Sequence, residues 1–372
     1  MPPVARSCLS PARVLVLAVL LVLLAACSSV PPSPTVPVDT VRQQIAARIP
    51  VAVKDRDGWA ADIQAAFHVQ GIDPSVENIC ATLAVIDQES GFQVDPVVRD
   101  LGKIARRELE TRARSKRIPG LALSTALNVA SLDGRTYAQR LAAVRTEGEL
   151  SALYEEVIGR VPLGQRLLGG HNPVRTGGPM QVSIDFARQH MERYPWPGRD
   201  VRQEVFTRRG GLYFGIAHLL GYATPYTRKI HRFADYNAGW YASRNAAFQQ
   251  AVAIAAGQEL ALDGDLLLPG AVLDKPGQTE RAVRSLPLPG HLDAAAIRRE
   301  LAKGNSLHFN DSPLYAAVFA LAESKSGRVL PREQLPGIRL ESPKISRELT
   351  TAWFAQRVYD RYRSCMALSS TD

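Results

Sequence analysis

Residues 79–92 read Ile79-Cys80-Ala81-Thr82-Leu83-Ala84-Val85-Ile86-Asp87-Gln88-Glu89-Ser90-Gly91-Phe92, an apolar run that closes on a carboxylate, a hydroxyl and a glycine. On an ideal helix, Ile79, Leu83, Ile86 and Ser90 fall within about 60° of one another and form the stripe expected to be buried. Glu89 falls about 60° to one side of Ile86, at the edge of that stripe, and Asp87 about 160° from Glu89, on the side expected to face water. Gly91 is suited to end the helix in a left-handed conformation. A segment of this kind can offer one glutamic acid at the rim of a cleft, its pKa raised by apolar neighbours. Taken alone, it also fits an ordinary helix end with an exposed Glu.

With 372 residues and 46% hydrophobic content, the chain can bury a large core, and its 22% charged residues mark it as globular. Arg6 and Arg13 precede an unbroken apolar run, Val14 to Ala26, which is short for a membrane span and has the form of a secretory signal. Leu24-Ala25-Ala26-Cys27 resembles a bacterial lipobox. That resemblance implies cleavage before Cys27, lipidation of its thiol with acyl chains such as palmitate, and a membrane anchor that does not cross the bilayer. Ser28 after the cysteine, by resemblance to Gram-negative sorting rules, implies the periplasmic face of the outer membrane. Residues 1–26 are thus read as a lipoprotein signal peptide and 27–45 as a Ser/Pro-rich tether.

Of the four cysteines, Cys8 leaves with the signal and Cys27 is the anchor, so Cys80 and Cys365 remain. An oxidising compartment permits a bridge between them, and two buried free thiols fit as well. Neither has a histidine at ligand spacing, and Asp263-Gly264-Asp265 is too short for a calcium loop, so no metal or cofactor is expected. The net charge of +9 becomes +7 without Arg6 and Arg13. This favours anionic envelope partners. Nucleic acid matches the sign but not the compartment.

Apolar spacing predicts a mainly α chain with no substantial sheet. Helices are expected over 41–49, 59–70, 75–89, 99–128 with a break at Pro119-Gly120, 137–144, 150–158, 184–194 and 201–220. Gly164, Gly169, Gly170 and the stretch His171 to Ser183 are loop chemistry. Gly210, Gly211 and Gly215 inside the 201–220 helix imply close packing against another helix, or a break at Gly210-Gly211. Tyr236-Asn237-Ala238-Gly239 interrupts the apolar stretch 231–248. Further helices are expected over 292–302, 314–324 and 345–366.

Three of these segments, in order, resemble the marks of lytic transglycosylases of the lysozyme superfamily. They are Glu89-Ser90-Gly91-Phe92, then Gly178-Pro179-Met180-Gln181, then Asp235-Tyr236-Asn237-Ala238-Gly239, the last preceded by a helix at Gly211 to Leu220. The pattern is also similar to that of a family of Gram-negative envelope lipoproteins. Two departures stand out: Pro179 replaces a leucine, and Asp235 an alanine. Glu89 and Gly178 are roughly ninety residues apart, more than the simple enzymes need. The resemblance implies a lysozyme-like domain over 46–260, a helical insert at about 95–174 and a helical C-terminal extension over 261–372.

For the chemistry, the resemblance implies that Glu89 acts as the single acid/base on the MurNAc-GlcNAc β-1,4 bond, with the substrate's own N-acetyl group assisting and a 1,6-anhydro product. It places Tyr236 beside Glu89, orienting it. Ser90, Gln181 and Asn237 would hold the site or the glycan, with Met180 at its wall. Core packing is the other reading for Tyr236 and Met180. A non-catalytic glycan-binding or scaffolding lipoprotein, and a lysozyme-like hydrolase, remain open alternatives. The partners expected are peptidoglycan strands and, through the lipid, a membrane.

Overall fold

A computed structural model describes residues 38–160, 172–196, 198, 200–290, 292–340 and 348–368. The signal peptide, Cys27, the tether up to Pro37, and the glycines at 164, 169 and 170 lie outside the described residues. Residues 1–41 and 42–372 are two units. Helix α1 (Val38–Arg48) takes up the last part of the stretch read as tether.

Local chemistry accounts for the helix that decides the fold. α2 (Arg56–Gln70) starts where the Asp55 side chain accepts from the Gly58 N–H, and stops at Gly71 with φ of 63°. α3 (Val76–Ser90) starts where Ser75 Oγ accepts from the Asn78 N–H, and Gly91, at φ 57°, ends it as expected. The stripe of Ile79, Leu83, Ile86 and Ser90 is buried, but so are Cys80, Ala81, Thr82, Ala84 and Val85. From Ile79 to Ile86 the helix is enclosed on all sides. Its second face is covered by the end of the chain. α16 (Thr351–Ala367) packs against α3 and against α11 (Lys229–Ala238). A disulfide joins Cys80 to Cys365. About two turns further along α3, Arg361 Nε donates to Asp87 Oδ2 at 2.7 Å. Asp87, expected in water, is therefore paired to the C-terminal helix.

Four helices between Leu101 and Arg160 share a hydrophobic cluster of their own: α4 (Leu101–Ser115), α5 (Gly120–Leu127), α6 (Tyr137–Ala143) and α7 (Glu147–Arg160). Leu101, Ala105, Tyr137, Leu141, Leu150 and Leu153 form its centre. Another cluster lies around Phe248, Val283, Phe309 and Phe319. It is built by α12 (Ala242–Ala256), α13 (Gln278–Arg284), α14 (Ala294–Leu301) and α15 (Pro313–Ser326). The only strands among the described residues form two short antiparallel pairs, β1 (Thr176–Gly177) with β2 (Val182–Ser183) and β3 (Arg339–Leu340) with β4 (Leu349–Thr350). The protein is mainly α. Among the described residues, no helix is long and apolar enough to cross a membrane.

Several helix limits differ from the sequence expectation. α8 (Ile184–Gln189) is shorter than 184–194 and passes into a 3-10 turn at Met191–Arg193. The expected 201–220 helix is two, α9 (Val201–Val205) and α10 (Arg208–Leu220), because the Thr207 hydroxyl accepts from the Gly210 N–H and opens a new helix. The break thus precedes Gly210 and Gly211. The described part of the last helix begins at Thr351, and 341–347 lie outside the described residues.

The α10 glycines do permit close packing, against α9 at Gly210, where a Cβ would meet the Glu204 carbonyl oxygen at 2.2 Å, and against the β1–β2 turn at Gly211 and Gly215. A Cβ on Gly211 would lie 2.4 Å from Pro179 Cδ, and one on Gly215 would lie 2.6 Å from Met180 Cβ. The turn is equally tight in return. Gly178 has φ of 73°, and a Cβ there would meet the Val205 carbonyl oxygen at 2.1 Å. We expect Gly178→Ala to lower the unfolding free energy by about 3 kcal/mol, from the left-handed strain and the steric clash together. Urea denaturation measures this, and a loss below about 1 kcal/mol would show that the turn is not held against α9 as described.

Candidate active site

Glu89 stands on the last turn of α3 and is half-buried. Burial among apolar neighbours raises its carboxyl pKa to about 8, and desolvation is the sole cause. Among the described residues, no side chain hydrogen-bonds to it or pairs with it. A carboxyl in this state holds its proton at neutral pH, as a general acid must.

Tyr236, on the last turn of α11, connects the other two segments to it. Its hydroxyl donates to the Met180 carbonyl at 2.6 Å. Its phenol pKa is raised well above 10, first by burial and then by the charge of Glu89. Segments separated by some ninety and fifty-six residues are thereby gathered at one place. Tyr236 lies near Glu89, but its hydrogen bond goes to the hairpin turn. It positions that turn and does not grip the carboxylate.

The remaining candidates divide into floor and rim. Met180 is 0% exposed and fills the space beside Gly215, so it offers packing and a carbonyl, with no side-chain surface for a ligand. Ser90 is buried, and its Oγ donates to the Ile86 carbonyl at 3.0 Å. Gln181, in a left-handed conformation at φ 49°, braces its own turn. Its Nε2 donates to the Gly178 carbonyl, and its Oε1 accepts from Thr176 Oγ1, each at 3.3 Å. Asn237 is exposed and accepts from Thr351 Oγ1 at 2.8 Å, which ties the rim to the start of α16.

Asp235, unusual in the motif, has a structural part that its sequence position did not show. It is fully buried and accepts from the hydroxyls of Tyr222 and Tyr226 and from the backbone N–H groups of Tyr241 and Ser243. Burial raises its pKa to about 6 against the pull of these donors. The carboxylate holds the chain at the α11–α12 corner, directly after Tyr236 and Asn237.

An aromatic groove of about 540 Å³ was also missed. Phe186, His190, His218 and Trp240 line it together with residues 264–267, Leu301, Ala302, Gly304 and Asn305. The His218 ring lies 5.0 Å from the Tyr236 ring, so the groove is one aromatic layer from the Glu89 site. Trp240 Nε1 donates to the His218 carbonyl at 2.8 Å, and its ring stacks on Tyr222 at 4.8 Å. Burial, with His190 beside it, lowers the His218 pKa to about 4, so the His218 ring is uncharged at neutral pH. The position of Trp240 immediately after Ala238-Gly239 was the available signal.

A family model described as "Protein of unknown function (DUF1615)" matches residues 52–368. The chain is 53% identical over 350 residues to "Uncharacterized protein YaiW" of Escherichia coli (strain K12), an alignment that spans 92% of this chain and 95% of that protein. No solved structure matches it.

Proposed function

The chain belongs to the DUF1615 family, and for this member we propose the activity of a peptidoglycan lytic transglycosylase on a lysozyme-like fold, with Glu89 as its acid/base. One observation carries the proposal. The three segments that resemble the transglycosylase marks converge, through the Tyr236–Met180 hydrogen bond, on a carboxyl whose pKa is raised to about 8.

In the proposed reaction the Glu89 proton passes to the bridging oxygen as the glycosidic bond breaks, and the N-acetyl group of the substrate supports the developing oxocarbenium ion. Glu89, now a carboxylate, takes the proton of the same sugar's 6-hydroxyl. The freed oxygen closes on C1 to give the 1,6-anhydro ring, and the acid form of Glu89 is restored. No water is consumed. The apolar surroundings suit the first step, because they keep the proton on the carboxyl until a leaving oxygen draws it away. The aromatic groove supports the reading as well, since ring faces such as Trp240 pack on the apolar faces of sugars.

The test is a digest of purified sacculi with the full chain, read by mass spectrometry. Fragments ending in 1,6-anhydro-muramic acid are expected. Reducing-end fragments would move the activity to a hydrolase, and intact sacculi that retain bound protein would make the chain a glycan-binding module.

The proposal includes the anchor at Cys27, with its acyl chains in the outer membrane and the site facing the periplasm. Cys27→Ser is expected to move the protein from the membrane fraction to the soluble fraction. Unchanged sedimentation with membranes would remove the lipid anchor from the account.

A further inference from the structure

An apolar cavity of about 360 Å³ lies within the four-helix cluster formed by α4 to α7, away from the Glu89 site. Leu109, Leu123, Leu127, Leu141, Leu153 and Val157 are among its walls. Its volume is in the range of small-molecule sites. The helix over it, α5, reads Gly-Leu-Ala-Leu-Ser-Thr-Ala-Leu, yet none of its residues is buried. Leu123 and Leu127 are half-buried over the cavity, and the remaining apolar side chains of the helix, Leu121, Ala122 and Ala126, are left exposed to water. More apolar surface surrounds it: Leu121 is 81% exposed and Val129 52%.

The polar features of this region have one sign for the most part. Arg160 lines the cavity and lies over the Tyr137 ring. Arg112 is close enough to the cavity-lining Tyr154 to stabilise its phenolate, with Glu108 opposing it. Lys116 and Arg117 carry the positive charge along the link into α5, and among the described residues Arg112, Lys116 and Arg117 pair with no carboxylate. The Tyr154 hydroxyl has no hydrogen-bond partner among the described residues. A long apolar chain that ends in an anion would satisfy all of these groups together. Its methylenes would fill the cavity beneath α5, and its head would meet Arg112, Arg160 and the Tyr154 hydroxyl.

We propose that the α4–α7 cavity is a binding site for a single-chain anionic amphiphile, an acyl chain with one carboxylate or phosphate head. The volume holds one chain, Arg160 lines the cavity, and Arg112 is near its Tyr154 wall. The site is independent of Glu89, and the test does not depend on wall cleavage.

The probe is dansylaminoundecanoate, titrated into the full chain and followed by its emission. A blue shift that saturates at one probe per chain is expected, reversed by dodecanoate. Decanoate should displace the probe about tenfold less well, from the two methylenes lost. Dodecanol, which lacks the charge, should also be weaker, by about tenfold. Ala126→Phe, at an exposed position on the cavity mouth, should weaken binding at least about tenfold with an unchanged melting temperature. Leu153→Trp, which fills the interior from a buried position, should also weaken binding at least about tenfold, at some cost in melting temperature, and serves as a second variant. Arg112→Glu should reduce the affinity for dodecanoate and leave that for dodecanol unchanged. An absent blue shift, or full affinity in both cavity-filling variants, would overturn the site. Equal displacement by dodecanol would overturn the anionic head. Binding to phosphatidylglycerol vesicles that Ala126→Phe leaves intact, with no binding of the free probe, would show a membrane-docking surface in its place.

Discussion

Glu89→Gln is expected to reduce the release of anhydro-muropeptides from sacculi by about a thousandfold while leaving the fold intact, because the amide cannot donate the proton that the leaving oxygen requires. The pH profile carries the same information in the native chain. The acid form is required to start the reaction, and the Glu89 pKa stands at about 8. The rate on free substrate should therefore hold through neutral pH and fall as pH rises through about 8. A glutamic acid at its ordinary 4.5 would have lost its proton well before neutrality.

The same shift has a consequence for stability. The folded-state pKa is raised above the unfolded value, so the folded chain binds this proton more tightly. The contribution is fully present below about pH 4.5 and is lost as pH rises through about 8. Glutamine does not ionise and avoids that loss, which is on the order of a few kcal/mol. Glu89→Gln should thus raise the melting temperature at pH 8.5 by several degrees more than at pH 5. Thermal melts at the two pH values measure this. An equal shift at both would show that the carboxyl is not desolvated, and a variant that still releases muropeptides at the native rate would remove Glu89 from the reaction.

The second large effect concerns the other face of the same helix. Replacing both Cys80 and Cys365 by serine is expected to destabilise the protein by about 4 kcal/mol, a loss of roughly 8 °C in melting temperature. The bridge spans 285 residues, so its removal releases a long loop in the unfolded chain. In the folded state it pins α16 onto α3 less than three turns before Glu89. The ion pair between Arg361 and Asp87 remains in that variant, but it is partly exposed and contributes at most about 1 kcal/mol. Arg361→Ala alone should consequently shift the melt by no more than about 2 °C. Dithiothreitol should reproduce the effect of the double variant on the native chain and leave the double variant unchanged. A native melting temperature that does not respond to reductant would show that α16 is held by packing alone.

The contrast between these two faces of α3 marks what was legible in the residues. Ser75 and Gly91 delimit the helix through local chemistry, a side-chain acceptor for an orphan N–H and a residue without a Cβ, and both ends lie where that chemistry puts them. The apolar period identified its buried stripe correctly. It did not reveal that Cys80, Thr82 and Val85 are buried too, because periodicity reports one face and the covering helix comes from 285 residues away. Thr207 shows the same limit at short range. Its hydroxyl divides the expected 201–220 helix in two, while Gly210 lies against the Glu204 carbonyl of the preceding helix and Gly211 and Gly215 receive Pro179 and Met180 from a distant turn.

At the candidate site, residue types and their order identified Glu89, Met180, Gln181 and Tyr236 as members of one set. The helical class, the caps of the central helix and the carboxyl at its end could be read from the residues, since each rests on neighbours within a few positions. The division of these members into floor and rim came from contacts between distant segments. Tyr236 spends its hydroxyl on the Met180 carbonyl, Met180 disappears beneath α10, and Asp235 holds the following corner through two tyrosines and two backbone N–H groups. Such contacts also decided the character of Glu89. A pKa near 8 arises from the apolar atoms that other segments bring around the carboxyl, and desolvation by distant parts of the chain has no local sequence signal.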